Sequence, residues 1–132
     1  MNYHQEYQAS IDNPEAFWQD KALHLDWFTP PKTALSENTN GYPQWFKGGK
    51  LNTSYLALDH HVKAGRGENA ALIYDSPVTN TQETWTYNTL LNEVATLAGA
   101  LTSLGVTKGD TVIIYMPMIP QAAVAMLAVA RI

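Results

Sequence analysis

Three adjacent residues, Asp59-His60-His61, form the one cluster whose side chains suit metal binding or acid–base work. Their spacing argues against both roles. Neighbouring side chains on a helix point about 100° apart, whereas two ligands of one ion want i and i+4 positions. The remaining histidines, His4 and His24, are not spaced to complete a set. The triplet is therefore assigned to capping or surface hydrogen bonding. A second stretch, Phe46 to Ser54, reads FKGGKLNTS and mixes glycine, lysine and hydroxyl residues as phosphate loops do. A Walker loop has a spacer between its two glycines and Ser or Thr directly after the lysine. Here the glycines are adjacent and Leu51-Asn52 follow the lysine, so a simple turn is expected. Trp18, Trp27, Trp45 and Phe46 could offer a ligand platform, but such rings more often pin irregular chain to a core. No nucleophile elbow, paired-carboxylate motif or dinucleotide fingerprint is present. Residue chemistry thus nominates no catalytic, cofactor-binding or metal-binding position.

Composition narrows the classes further. The chain has 132 residues, enough for one moderate core. Charged residues make up 15%, below the usual quarter, which suggests surface meant to be covered by something else. Net charge is -4 and the eight Lys and Arg are scattered, so no nucleic-acid partner is expected. The absence of cysteine excludes disulfides and thiolate metal sites. Met1 to Ile11 lacks the charged start and apolar stretch of a secretory signal, which makes the cytoplasm the expected compartment. The apolar end is the single membrane candidate, with sixteen of twenty residues apolar from Ile113 to Ile132. Pro117, Pro120 and Gln121 interrupt it, and its longest unbroken apolar run is the nine residues Ala122 to Ala130. A bilayer span needs about 20. Buried core is the expectation, and no membrane contact.

The elements that must position these residues fall into two textures. Residues 1–67 are irregular and aromatic-rich, while 68–132 alternate strand and helix. Asp12-Asn13-Pro14-Glu15 predicts a helix start, running to about Leu23. Ser36 to Pro43 is expected as a polar loop. Leu51, Tyr55, Leu58 and Val62 fall at helical spacing, predicting a second helix from near Asn52 that Gly65 and Gly67 stop. Ala70 to Tyr74 and Glu83 to Thr86 predict an antiparallel strand pair. Thr86 then caps an amphipathic helix lined by Leu90, Val94, Leu97, Leu101 and Leu104 and ended by Gly105. Lys108-Gly109-Asp110 turns the chain into an expected buried strand, Thr111 to Met116, before Pro120 starts a last helix, Gln121 to Arg131. An all-apolar strand between two helices is the pattern of an α/β layer with a parallel sheet. The last helix is apolar around most of its circumference and expects partners on more than one side.

The order of these segments resembles the N-terminal part of the AMP-forming short-chain acyl-CoA synthetases, the acetyl- and propionyl-CoA ligases. NPEAFWQDKALHLDW (Asn13 to Trp27), WFKGGKLNTSYLALDHHV (Trp45 to Val62), TWTYNTLLNEVATLAGAL and LGVTKGDTVIIYMPMIPQAAVAMLAVARI carry the likeness across nearly the whole chain. ALIYDSPVTNTQETWTY, Ala71 to Tyr87, is more similar to the propionate branch than to the acetate branch. The sequence departs from the family's Asn-x-x-Asp-Arg-His pattern, with Leu56, Asp59, His60 and His61 there, and has Gln121 where glutamate is common. Losing that arginine puts a family ion pair in doubt.

The resemblance implies an α/β fold: an acetyl-CoA synthetase-type N-terminal region over 1–67, then the start of the adenylate-forming large domain over 68–132, truncated at Ile132. It implies a parent ligase that uses ATP, magnesium and coenzyme A. The phosphate loop, magnesium-binding acid, acyl pocket and catalytic lysine of the family lie beyond Ile132. None of those roles transfers to a residue here, so the chain itself is expected to be non-catalytic. Its expected partner is the remainder of the ligase, with self-association of the isolated chain as a consequence of uncovered apolar surface. The alternative is a stand-alone interaction module that pairs with a separate chain.

Overall fold

A computed structural model describes residues 2–132, which divide into two compact units, 2–51 and Asn52–Ile132. In the first unit, helix α1 (Tyr3–Asp12) starts at Asn2. The Asn2 side chain accepts from the Gln5 backbone N–H, and the Gln5 side chain accepts from that of Asn2, each at 3.0 Å. This reciprocal capping box satisfies amides that would otherwise lack partners. The helix buries none of its residues, and its stripe of Tyr3, Tyr7 and Ile11 stays exposed. Asn13 caps α2 (Pro14–Ala22) by accepting from the Ala16 N–H at 3.1 Å, with proline in the first turn as the sequence predicts. Lys21 ties α2 to α1 through Glu6 at 3.2 Å.

Ser36 to Pro43 is not simply a loop. Strands β1 (Leu35–Glu37) and β2 (Pro43–Trp45) pair antiparallel, with Leu35 opposite Trp45. The turn between them is closed by Asn38, whose Oδ1 accepts from the Asn40 and Tyr42 amides at 2.9 and 3.0 Å. Gly41, at φ +76°, supplies the left-handed residue that such a turn needs. The strands are too short for alternation to announce them.

The second unit begins at Asn52. The single helix expected there breaks into three pieces: α3 (Thr53–Ala57), α4 (Asp59–His61) and a π-helical turn, Val62–Arg66. Leu58 causes the first break, at φ −124° and ψ −70°, and its side chain is among the most deeply buried. Gly65 lies inside the π turn at φ +78°. Strands β3 (Ala70–Ser76) and β4 (Thr81–Thr86) form the predicted antiparallel pair, with Tyr74 opposite Glu83. Thr86 caps α5 (Tyr87–Ser103), its Oγ1 accepting from the Thr89 N–H at 3.2 Å. Pro120 opens α6 (Pro120–Arg131) as expected.

The core of this unit is Leu58, Leu90, Val94, Ala98, Val124 and Ala128. Helices α5 and α6 pack on one another, and α3 packs on α6. Alanine at 98 and 128 leaves no bulk between the helices, so close packing is reached without strained side chains. Leu104 departs from the predicted face. It lies past the last helical turn and is exposed, because Gly105 at φ +96° swings the chain away.

Thr111 to Met116 departs furthest from the expected strand. No strand forms there, and among the described residues nothing pairs with this segment. A strand exists only by lateral hydrogen bonding to a neighbour, and among the described residues each of the two sheets is a pair of strands that does not include this segment. The apolar side chains therefore face solvent: Ile113 is 88% exposed, Tyr115 fully so and Met118 92%. The architecture remains a mixture of helices and small sheets.

Candidate functional site

The polar side chains of the second unit converge on helix ends. Asp59 and Arg131, 72 residues apart, form a bidentate pair in which Nη1 donates to Oδ2 at 2.7 Å and Nη2 to Oδ1 at 2.9 Å. Both are largely covered, with side chains 17% and 29% exposed. The hydrogen bonds from Arg131 hold the Asp59 carboxyl below the usual carboxylate range, against the partial burial that would raise it. The same contacts raise the guanidinium further above its ordinary value. Asp59 is thus engaged as a structural anion, which accords with the hydrogen-bonding role expected for the triplet.

Asn52 acts beside this pair. Its Oδ1 accepts from the Tyr55 N–H at 2.9 Å, capping α3. Its Nδ2 donates to the carbonyls of Ala130 and Arg131 at 3.0 and 3.3 Å, at the far end of α6. One amide side chain therefore satisfies the start of one helix and the end of another. The sequence marks the first role through helix-start chemistry and carries no signal for the second, because the acceptors are backbone atoms 78 and 79 residues away. Arg131 is the one cation after Lys108, a cue that a distant anion awaits it.

The His60 and His61 rings meet edge to face at 5.5 Å. His61 Nδ1 meets Arg66, with Nε at 3.0 Å and Nη2 at 2.9 Å. Its ring lies 4.7 Å from that of Tyr87, the first residue of α5. Loss of surrounding water, then the charge of Arg66 and of His60, push the His61 pKa down. Among the described residues no group of three or more His, Asp or Glu could hold a metal ion.

In the first unit, the glycines of FKGGKLNTS make a turn. Gly49 donates to the Phe46 carbonyl at 2.9 Å, and Phe46 and Gly48 adopt φ +48° and +78°. The aromatic residues pack on one another in series. Trp18 meets Trp45 edge to face at 6.3 Å, Trp45 meets Phe46 at 5.9 Å and Phe46 meets Trp27 at 5.7 Å. The Trp27 N–H donates to the Ala22 carbonyl at 2.8 Å, pinning the irregular chain to the end of α2.

This arrangement holds helices and turns in place, and its likeness to known proteins follows the same order of elements. The family described as acetyl-coenzyme A synthetase N-terminus matches residues 3–57, and the family described as AMP-binding enzyme matches residues 58–132. The chain belongs to the AMP-binding enzyme family. Within that family it is similar to an uncharacterized protein of Pseudomonas aeruginosa, at 55% identity over all of this chain and 21% of the relative. A second relative is the mitochondrial acyl-CoA synthetase short-chain family member 3 of Bos taurus, at 49% identity over 98% of this chain and 19% of the relative. Among solved structures, the acetoacetyl-CoA synthetase from Streptomyces lividans superposes with a TM-score of 0.81 at 35% identity, over 98% of this chain and 20% of that one. The chain spans about a fifth of the length of the relatives it matches. It has the sequence and fold of an acyl-CoA synthetase N-terminal region.

Proposed function

We propose that this chain is the structural N-terminal segment of an AMP-forming short-chain acyl-CoA ligase. The whole enzyme would join a short carboxylate to ATP, release pyrophosphate and pass the acyl group to coenzyme A. The observation that carries this reading is the tandem order of the two family matches, 3–57 then 58–132, over a chain one-fifth the length of its relatives. Propionate is the proposed acyl substrate, used at least as well as acetate, on the likeness of Ala71 to Tyr87, which folds as the β3–β4 hairpin. A cytoplasmic location belongs to the same proposal.

The segment's own contribution is scaffold. Its donor set does not fit magnesium or a triphosphate: Asp59 is committed to Arg131, and the turn glycine Gly49 sits against the Trp27 ring. ATP, magnesium and coenzyme A are assigned to residues outside these 132. The proposed partner is the remainder of the ligase, which would cover the exposed segment around Ile113, Tyr115 and Met118. Without it, that surface favours a second copy of the chain.

The test is complementation. Propionate-dependent pyrophosphate release is measured for this chain alone, for the Pseudomonas aeruginosa relative lacking its matching region, and for the two mixed. The expected result is activity only in the mixture. Activity of this chain alone, free of contaminating full-length enzyme, overturns the scaffold reading. Failure of the mixture, with both parts folded and soluble, favours an independent interaction module.

A further inference from the structure

We propose that His61 is a pH-sensitive latch, whose neutral ring holds Arg66 and whose protonation releases the turn that supports the start of α5. The turn is built around Arg66. The Asn69 N–H donates to the Arg66 carbonyl at 3.1 Å, and the next carbonyls receive the first amides of α5. Tyr87 N–H donates to Asn69 at 3.1 Å, and Asn88 N–H donates to Gly67 at 3.0 Å. The Asn88 side chain adds a hydrogen bond to Glu68 at 2.7 Å. Two amides at the start of α5 thus depend on where this turn sits.

The contact that fixes Arg66 requires one protonation state. Its Nε donates to His61 Nδ1 at 3.0 Å, with Nη2 at 2.9 Å from the same atom. An acceptor at Nδ1 means that the single ring proton is on Nε2. Protonation at Nδ1 would turn the acceptor into a donor facing two donors and set two positive charges against one another. Every group around the ring bears on this. Arg66 faces it from the π turn, His60 from α4 and the Tyr87 ring from α5. The nearby carboxylates are engaged elsewhere, Asp59 with Arg131 and Glu68 with Asn88, while Lys63 lies over Tyr55 of α3. No anion among these contacts offsets a charge on His61.

The direction of the effect follows from linkage. The folded environment lowers the His61 pKa, so the opened turn binds more protons than the closed one. The latch is complete above the ordinary histidine range and weakens as pH falls through it.

Amide hydrogen exchange of the whole chain, followed by NMR, tests the latch at Tyr87 and Asn88. Their protection factors should fall by about tenfold between about pH 7 and about pH 5. In His61→Gln, whose side chain keeps an acceptor and does not titrate, they should stay level over that window. Independently, Arg66→Leu should move the His61 ring titration upward, toward the ordinary range. An equal loss of protection in His61→Gln overturns the proposal. So does a His61 ring that titrates at or above its ordinary value in the unaltered chain, or one that Arg66→Leu does not move. Should His61→Gln fail to fold, the two titrations decide the question by themselves.

Discussion

Arg131 grips Asp59 with both terminal nitrogens, at 2.7 and 2.9 Å, and so ties the last turn of α6 to α4 across 72 residues of chain. The geometry is the fork-to-fork match that distinguishes arginine from lysine. Because both side chains are mostly covered, removing one partner strands the other in a poorly solvated place.

Asp59→Asn should therefore destabilise the fold by about 1–3 kcal/mol in chemical denaturation near neutral pH. The folded carboxyl titrates below its unfolded value, so its contribution is full above about pH 4 and is lost as pH falls through the folded pKa. The acid limb of the stability curve should be shallower in the variant. An unchanged limb would mean that the pair adds nothing to stability.

Asn52→Ala removes a helix cap and two carbonyl contacts together, with an expected loss of about 1–2 kcal/mol. Asn52→Asp separates the two roles. It keeps the acceptor for the Tyr55 amide and loses the donor to Ala130 and Arg131, setting a carboxylate against their carbonyls. Melting temperatures should place it below the native chain. If Asp matches Asn, the contact at the end of α6 is energetically idle.

Ser54 is fully buried in α3, and its hydroxyl has no hydrogen-bond partner among the described residues. Burying such a group costs free energy that an apolar replacement of similar size avoids. Ser54→Ala should leave stability unchanged or raise it by up to about 1 kcal/mol. A clear loss in a denaturant titration would reveal a hydrogen bond made in solution.

Ile113 and Met118 make almost no contact within the chain. Replacing both with lysine should change intrinsic stability by less than about 0.5 kcal/mol. The same change should lower any self-association seen by sedimentation velocity, since charge on an exposed apolar segment opposes pairing. Persistent association of the double variant would place the self-contact elsewhere.

Gly49 closes against the Trp27 ring and the Phe46 backbone: a Cβ added there would lie 2.7 Å from Trp27 Cζ3 and 3.0 Å from the Phe46 carbonyl oxygen. The indole is itself held by its hydrogen bond to Ala22 and by Phe46. Gly49→Ala should cost about 1–3 kcal/mol through overpacking, read as an earlier loss of near-ultraviolet tryptophan signal on heating. An unaltered melt would show that the turn yields easily.

Local chemistry in the sequence determined much of this protein. Asn13, Asn52 and Thr86 start helices because their side chains accept from amides three residues on, a contact that needs no distant partner. Pro120 opens α6 and Gly105 closes the α5 turn for equally local reasons. The β3–β4 hairpin was legible because its strands are adjacent in sequence and long enough to show their character. Thr111 to Met116 has the composition of a buried strand, but a strand needs a lateral neighbour, and apolarity alone does not provide one. The break at Leu58 likewise reflects tertiary packing, as a buried side chain outweighs helical periodicity. The joining of Asn52 and Asp59 to the end of α6 was also beyond local reach. Those contacts link residues more than seventy positions apart, and only the packing of α3 and α5 against α6 brings their atoms within hydrogen-bond distance.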